Sequence, residues 1–129
     1  MNGSPARAVA RLAGIAAVAA LHVPPQLCAM RFSKGPAWRI PRSFHRYCLR
    51  AMGVSVTVDG AISPARPALF VANHISYLDI PVLGSLTELS FVAKDEIAGW
   101  PVAGAMARMQ RTLFIGRCRQ GASGERDLI

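Results

Sequence analysis

The longest stretch of this chain without a charged side chain covers residues 12–30. A helix of that length extends about 28 Å, close to the roughly 30 Å hydrocarbon thickness of a bilayer. Two features oppose a simple spanning helix. Pro24 and Pro25 remove two backbone N–H donors, and much of the stretch is alanine, which is only mildly hydrophobic. Since a helix that ended near Val23 would be too short to span, we expect the segment to lie in the interface or to dip into one leaflet.

Two alternatives stay open for this segment. Arg7 and Arg11 followed by an apolar core also fit the start of a signal peptide, although no small-x-small cleavage site follows residues 22–25. A buried helix of a soluble protein has a similar hydropathy. We favour a membrane-associated segment over residues 1–36, followed by a second region over residues 37–129.

The charge of the chain is concentrated at its N-terminal end. Eight Lys and Arg but no Asp or Glu precede Asp59, whereas the remainder has seven basic and seven acidic residues. All of the formal net charge of +8 therefore lies in the acid-free part, which indicates an anionic partner there. Membrane lipid is favoured over nucleic acid, because the chain has no aromatic stacking platform and no groove-reading motif.

Residues 41–52 have the pattern of a basic amphipathic helix. Pro41 suits a first turn, Gly53 suits a stop, and one face carries three arginines at four-residue spacing, namely Arg42, Arg46 and Arg50. The opposite side carries Phe44, Tyr47, Cys48 and Ala51. Such a helix after an apolar segment fits an anionic bilayer surface. The alternative is an ordinary surface helix with a solvated arginine face.

Strand and helix patterns alternate in the rest of the chain. The sequence predicts strands over residues 54–58, 68–72, 89–93 and 112–115, and helices over residues 80–86 and 102–109. This order predicts an α/β fold, a partial mixed sheet with flanking helices, preceded by an N-terminal apolar membrane-associated helix. The three cysteines are widely spaced and have no metal-ligand spacing, so no metal site is expected.

The feature with the most chemical content is a histidine followed five residues later by a carboxylate. His74 comes directly after the apolar run 68–72, and Asp79 precedes the predicted helix. A strand-to-helix corner can bring both side chains together, where the carboxylate fixes the tautomer of a general base. Two structural alternatives remain: Asp79 as the N-cap with Pro81 in the first turn, or Ser76 and Asp79 as a capping box.

Two short blocks carry a resemblance to a known family. Residues 73–79 read Asn-His-Ile-Ser-Tyr-Leu-Asp, and residues 114–117 read Phe-Ile-Gly-Arg. They resemble two blocks of the membrane glycerolipid acyltransferases, Asn-His-x-Ser-x-Leu-Asp and aromatic-Ile-x-Arg. The best-known members of that family are the 1-acylglycerol-3-phosphate acyltransferases. The segment Lys94-Asp95-Glu96, with Pro101 and Gly104 after it, is also similar, and the likeness covers about residues 8–120.

The resemblance implies transfer of a fatty acyl group from acyl-CoA or acyl carrier protein to the hydroxyl of a lysophospholipid, as in making phosphatidic acid from lysophosphatidic acid. Lyso-ornithine lipid or another lysolipid is the alternative acceptor. His74 would be the general base and Asp79 would orient it. Asn73 and Ser76 would support the corner, and Arg117 would bind a phosphate. No metal or bound cofactor is implied, and the catalytic side would face the cytoplasm at a bacterial inner membrane.

The family has two further blocks, Glu-Gly-Thr-Arg after a Phe-Pro and an apolar run containing a Pro, and neither occurs in this sequence. The resemblance therefore implies that residues 37–129 form an acyltransferase domain without its C-terminal part. A membrane-bound fragment that is inactive alone is the corresponding alternative.

Overall fold

The computed structural model describes residues 4–32 and 39–116. The chain divides into two compact units, Met1–Leu89 and Ser90–Ile129. The first unit contains three helices: α1 (Pro5–Phe32), α2 (Arg39–Met52) and α3 (Asp79–Leu86). The second unit contains β1 (Val92–Lys94), α4 (Asp95–Ala98), α5 (Ala103–Met109) and β2 (Leu113–Ile115).

Helix α1 does not end near Val23, as the sequence predicted, but continues through Pro24 and Pro25 to Phe32. The two prolines remove two N–H donors, yet their fixed φ is itself helical. The part of α1 beyond them packs against the rest of the first unit, where Gln26 is buried and Ala29 is half-buried. Tertiary packing therefore continues the helix where the local hydrogen-bond pattern alone would end it.

Helix α1 presents one stripe to the protein and an apolar face outward. The covered residues recur at helical spacing, namely the half-buried Gly14, Ile15, Val18, Ala19, His22 and Val23 and the buried Gln26. Large apolar side chains on the other side are exposed, with Leu12 at 67% and Leu21 at 73%. The helix is long and apolar enough to cross a membrane by length and composition, and very little of its most apolar 18-residue segment is buried.

Helix α2 runs antiparallel to α1. Gly14 allows a close approach, because a Cβ there would lie 3.2 Å from the Cβ of Ala51. Near the other end of α2, the His22 ring lies 5.9 Å from the Phe44 ring, centroid to centroid. Gly53 ends α2 with a positive φ of 72°. The Gly53 N–H donates to the carbonyl of Arg50, and the Val54 N–H donates to the carbonyl of Leu49. These two bonds form a Schellman motif.

The predicted helix is confirmed, starting two residues earlier than Pro41, and contact of its arginine face with lipid stays a prediction. Two of its arginines also donate to carbonyls at the C-terminal end of α3. Arg42 donates to Ser85 and Leu86, and Arg46 donates to Ser85. Tyr47, on the side opposite the arginines, is 47% exposed. Because the receiving carbonyls belong to a helix distant in sequence, the local periodicity could not reveal this contact.

Helix α3 packs directly on α2. Gly84 faces the buried imidazole of His45, and a Cβ at Gly84 would lie 2.7 Å from its Nε2 atom. Real Cβ atoms do not approach so closely, so only glycine fits at this position without a shift. The predicted helix over residues 80–86 is thereby confirmed, with its start at Asp79.

Two predicted strands are wrong in the part of the chain that the structure describes. Residues 54–58 and 68–72 do not form strands, although Val54 and Val56 are half-buried and alternate with exposed residues. Leu69 and Val71 are 87% and 86% exposed. A strand requires a hydrogen-bonded neighbour as well as a suitable pattern, and among the described residues neither run has one.

In the second unit, β1 and β2 pair in parallel, with Val92 opposite Leu113 and Lys94 opposite Ile115. Helices α4 and α5 form the connection, as a parallel pair requires. Gly104 allows them to meet, because a Cβ there would lie 2.5 Å from the Ala98 carbonyl oxygen. The α/β class, with a small sheet, flanking helices and an N-terminal apolar helix, is thus confirmed.

Candidate active site

His74 and Asp79 lie side by side at the entrance to α3. The Nδ1 atom of His74 is 3.0 Å from the Oδ2 atom of Asp79. The histidine side chain is 67% exposed and the aspartate side chain 31% exposed. The pair therefore lies at the surface of the first unit, where the imidazole is accessible to solvent.

One carboxylate oxygen, Oδ2 of Asp79, is the common hydrogen-bond acceptor in the turn before α3. Besides the imidazole, Asp79 Oδ2 accepts hydrogen bonds from the backbone N–H groups of Ile75 at 2.9 Å and Ser76 at 3.0 Å. These two donors fix the carboxylate, and the carboxylate in turn fixes the ring. The Ile75 N–H is the one member of this group that the sequence did not indicate, because a backbone donor leaves no trace in residue type.

The hydrogen bonds also favour the ionised carboxylate. The Ser76 backbone N–H is the largest cause of a lowered pKa for Asp79. Partial desolvation opposes it, and the His74 and Ile75 bonds add to the lowering. At neutral pH this side chain is consequently an anion that can only accept hydrogen bonds.

The capping interpretation of the motif is half right. Asp79 is the first residue of α3 and not its N-cap, so that alternative is wrong. One half of the predicted capping box is present, because the Ser76 N–H donates to Asp79 Oδ2. The other half is not, because Ser76 Oγ accepts from the Leu78 N–H at 3.2 Å and the Asp79 N–H donates to the backbone carbonyl of Ser76. The same carboxylate therefore closes the turn and holds the histidine, and the two interpretations are compatible.

This geometry determines which ring nitrogen is available. Because an ionised carboxylate is only an acceptor, the neutral imidazole carries its proton on Nδ1 and donates it to Asp79. The lone pair then lies on Nε2, and no described residue forms a hydrogen bond with that atom. The arrangement can accept a proton from a hydroxyl at Nε2 and stabilise the resulting imidazolium through Asp79.

The other predicted site residues fall in different places. Asn73 is exposed and forms no hydrogen bond to another described residue. Ser76 contributes its hydroxyl to the turn before α3. Lys94 ends β1, and Asp95 and Glu96 begin α4. Arg117 lies outside the described residues. No cluster of three or more potential metal ligands occurs within residues 4–32 and 39–116.

Comparison with known proteins gives a consistent result. The family model described as Acyltransferase matches residues 54–127. A lyso-ornithine lipid O-acyltransferase of Brucella abortus is 38% identical over 110 residues, covering 83% of this chain and 41% of that protein. One of Pseudomonas aeruginosa is 46% identical, covering 61% of this chain and 29% of the relative. A 1-acyl-sn-glycerol-3-phosphate acyltransferase of Neisseria meningitidis is 40% identical, covering 50% and 28%.

These alignments set the scope of the comparison. The chain spans at most about two fifths of the length of these three curated relatives. No solved structure matches the chain.

Proposed function

Since the chain belongs to the acyltransferase family, we propose that it transfers a fatty acyl group from an acyl thioester to a lysolipid hydroxyl, with His74 as the general base. The observation that carries the proposal is the hydrogen bond between His74 Nδ1 and Asp79 Oδ2 at the exposed entrance to α3. It supports an imidazole with a defined tautomer, whose Nε2 forms no hydrogen bond with any residue that the structure describes. A thioester is already activated, so the reaction needs a base and no covalent nucleophile.

The reaction balances with these groups alone. The lysolipid hydroxyl oxygen attacks the thioester carbonyl carbon while Nε2 of His74 takes the hydroxyl proton. The negative charge of Asp79 stabilises the imidazolium that results. Collapse of the tetrahedral intermediate breaks the carbon–sulfur bond, and the departing thiolate recovers the proton from Nε2. The products are an O-acylated lipid and the free thiol of coenzyme A or acyl carrier protein.

The acceptor is proposed in two forms. The relatives from Brucella abortus and Pseudomonas aeruginosa, both named lyso-ornithine lipid O-acyltransferases, support lyso-ornithine lipid. The Neisseria meningitidis relative supports lysophosphatidic acid, converted to phosphatidic acid. Supplying both acceptors to the natural gene product with the same acyl-CoA, and then with the same acyl carrier protein, separates these possibilities and identifies the donor.

Arg117 is proposed to bind a phosphate of the acceptor or of the donor by charge-assisted hydrogen bonds. Arg117→Ala should raise the apparent KM of the phosphate-bearing partner by about tenfold with a smaller effect on kcat. Arg117→Lys, which keeps the charge but not the planar fork, should be intermediate. An unchanged KM for both substrates would refute this role. Asn73 and Ser76 are proposed to support the corner and not to take part in proton transfer.

Membrane association is proposed through the outward face of α1. Helix α2 lies along residues 14–22 of α1 and carries Arg42, Arg46 and Arg50. Crossing the bilayer as a packed pair would bring these guanidinium groups into hydrocarbon, which is costly. The pair is therefore proposed to lie in the interface with Leu12 and Leu21 in the lipid.

The excess of Lys and Arg after α1 supports a cytoplasmic catalytic side at a bacterial inner membrane. Protease added to inside-out vesicles should cleave the loop over residues 54–78, whereas protease added to intact spheroplasts should not. Cleavage in spheroplasts would place the site on the other side of the membrane.

A further inference from the structure

We infer that Arg42 and Arg46 are positioning residues for the His74–Asp79 pair and act through helix α3. The inference rests on the proposed function, because it concerns the same site. Its basis is that α3 has the site at one end and the two arginines at the other. Asp79 is the first residue of α3, and Ser85 and Leu86, whose carbonyls the arginines bind, are its last two.

The C-terminal end of α3 needs donors from elsewhere in the chain. The last carbonyls of a helix have no partner within it, and many helices end in a glycine whose left-handed conformation satisfies them. Here the following residue is Thr87 in an extended conformation, with φ at −145°. Ser85 is buried at 5% exposure, so its carbonyl has little access to water. An unpaired carbonyl there would be destabilising.

The two arginines supply these donors. Arg42 spans two carbonyls, with Nε 3.3 Å from the Ser85 oxygen and Nη2 2.7 Å from the Leu86 oxygen. Arg46 Nε lies 3.0 Å from the same Ser85 oxygen. Positive charge at this end also opposes the negative pole of the helix dipole, as the Asp79 carboxylate opposes the positive pole. Both ends of α3 are thus held by charged hydrogen bonds.

The length of α3 makes the two ends dependent on each other. Eight residues form about two turns, roughly 12 Å long, and a helix that short is marginal without tertiary support. If the C-terminal end is released, the first turn can tilt or fray, and Asp79 moves with it. The carboxylate then loses its alignment with His74 and with the Ile75 and Ser76 amides, all of which bond to one oxygen atom.

Hydrogen exchange tests the inference without requiring any turnover. The chain with Arg42→Gln and Arg46→Gln should exchange the amides of Ile75 and Ser76 about tenfold faster than the wild type, because their acceptor is less firmly held. Helix α1 should exchange at an unchanged rate. Arg108→Gln is a matched control, because Arg108 donates at 2.7 Å to Ala98, the last residue of α4 in the other unit. It should leave both amides unchanged.

Three outcomes of this experiment would overturn the inference. One is unchanged exchange at both amides in the folded double variant. Another is equal acceleration over α1, α2 and the turn, which would mean that the arginines only stabilise the fold. If the double variant does not fold, the single variants Arg42→Gln and Arg42→Lys are compared. Lysine offers a single flexible donor group and should restore part of the protection, and equal exchange in these two would count against the inference.

A double-mutant cycle tests the coupling to catalysis. In the wild-type background the two Arg→Gln changes should lower kcat about tenfold and leave both KM values unchanged. In an Asp79→Ala background the same changes should lower kcat less than about twofold, because the acceptor through which they act is already absent. Equal losses in both backgrounds would refute a positioning role. Absence of acyl transfer from every form would refute the proposed function, while the exchange result would still decide the role of the arginines.

Discussion

The Nδ1 atom of His74 lies 3.0 Å from the Oδ2 atom of Asp79, and that oxygen also accepts two backbone N–H groups from the residues between them. The loop that connects the histidine to the carboxylate is therefore closed by hydrogen bonds. Such a closed loop keeps the imidazole oriented in the absence of substrate, which is the preorganisation that proton transfer requires.

Replacing the carboxylate should separate orientation from charge. Asp79→Asn keeps an oxygen that can accept the same three hydrogen bonds but cannot stabilise an imidazolium electrostatically. We expect kcat to fall on the order of 100-fold while membrane association is unchanged. Steady-state kinetics on detergent-solubilised protein is the measurement, with the exposed Asp59→Asn as the control. A fall of less than about twofold would contradict a role for the charge.

The same residue predicts how stability changes with pH. Because the pKa of Asp79 is lowered in the folded chain, the ionised carboxylate stabilises the fold at pH values above the ordinary value of 3.8. This contribution is lost as the pH falls through the lowered pKa. Amide exchange at Ile75 and Ser76 should accelerate over that acidic range, after correction for intrinsic rates. In Asp79→Asn the corrected rates should be nearly independent of pH, and identical profiles would contradict the assignment.

The packing contact between α3 and α2 should not tolerate a side chain at position 84. Gly84→Ala places a methyl group against His45, and we expect a loss of about 1–3 kcal/mol in unfolding free energy of the first unit. Chemical denaturation measures it. Gly99→Ala is a suitable comparison, because its Cβ meets only the Glu96 carbonyl at 3.5 Å. His45→Ala in the Gly84→Ala background should recover part of the loss, and no recovery would argue against this clash.

The outward face of α1 should control binding to lipid. Leu12→Asp together with Leu21→Asp introduces two charges on exposed apolar positions and should reduce the fraction bound to anionic vesicles by about tenfold or more. Vesicle co-sedimentation measures this fraction. Two Asp substitutions at Ser63 and Ala65, in the exposed loop, provide the matched charge control. Equal binding of both double variants would exclude this face as the membrane contact.

The sequence predicted the elements that local patterns determine. The arginine and apolar spacing of α2, the glycine that ends it and the proline in the first turn of α3 are short-range signals, and both helices are present. The strand predictions around residues 89–93 and 112–115 also correspond to β1 and β2, each within a few residues. The distance between His74 and Asp79 agrees with a strand-to-helix corner, although the preceding residues do not form a strand.

What the sequence could not predict depends on distant partners. Residues 68–72 have the composition of a central strand, but a strand forms only beside a neighbour that pairs with it. Pro24 and Pro25 predicted a helix end, but α1 continues to Phe32, with Gln26 buried beyond the prolines. The spacing of Arg42 and Arg46 does not indicate that they donate to the carbonyls of Ser85 and Leu86, because these acceptors are some forty residues away. The residue after Leu86 is threonine and not glycine, and this was the one local sign that the last carbonyls of α3 need donors from elsewhere in the chain.

The most direct measurement is acyl transfer by the natural gene product carrying His74→Ala, assayed with an acyl thioester and both proposed lysolipids. We predict a loss of at least about 100-fold in kcat, with vesicle binding and the unfolding transition close to those of the wild type. Turnover within about twofold of the wild type would show that the imidazole of His74 is not the base.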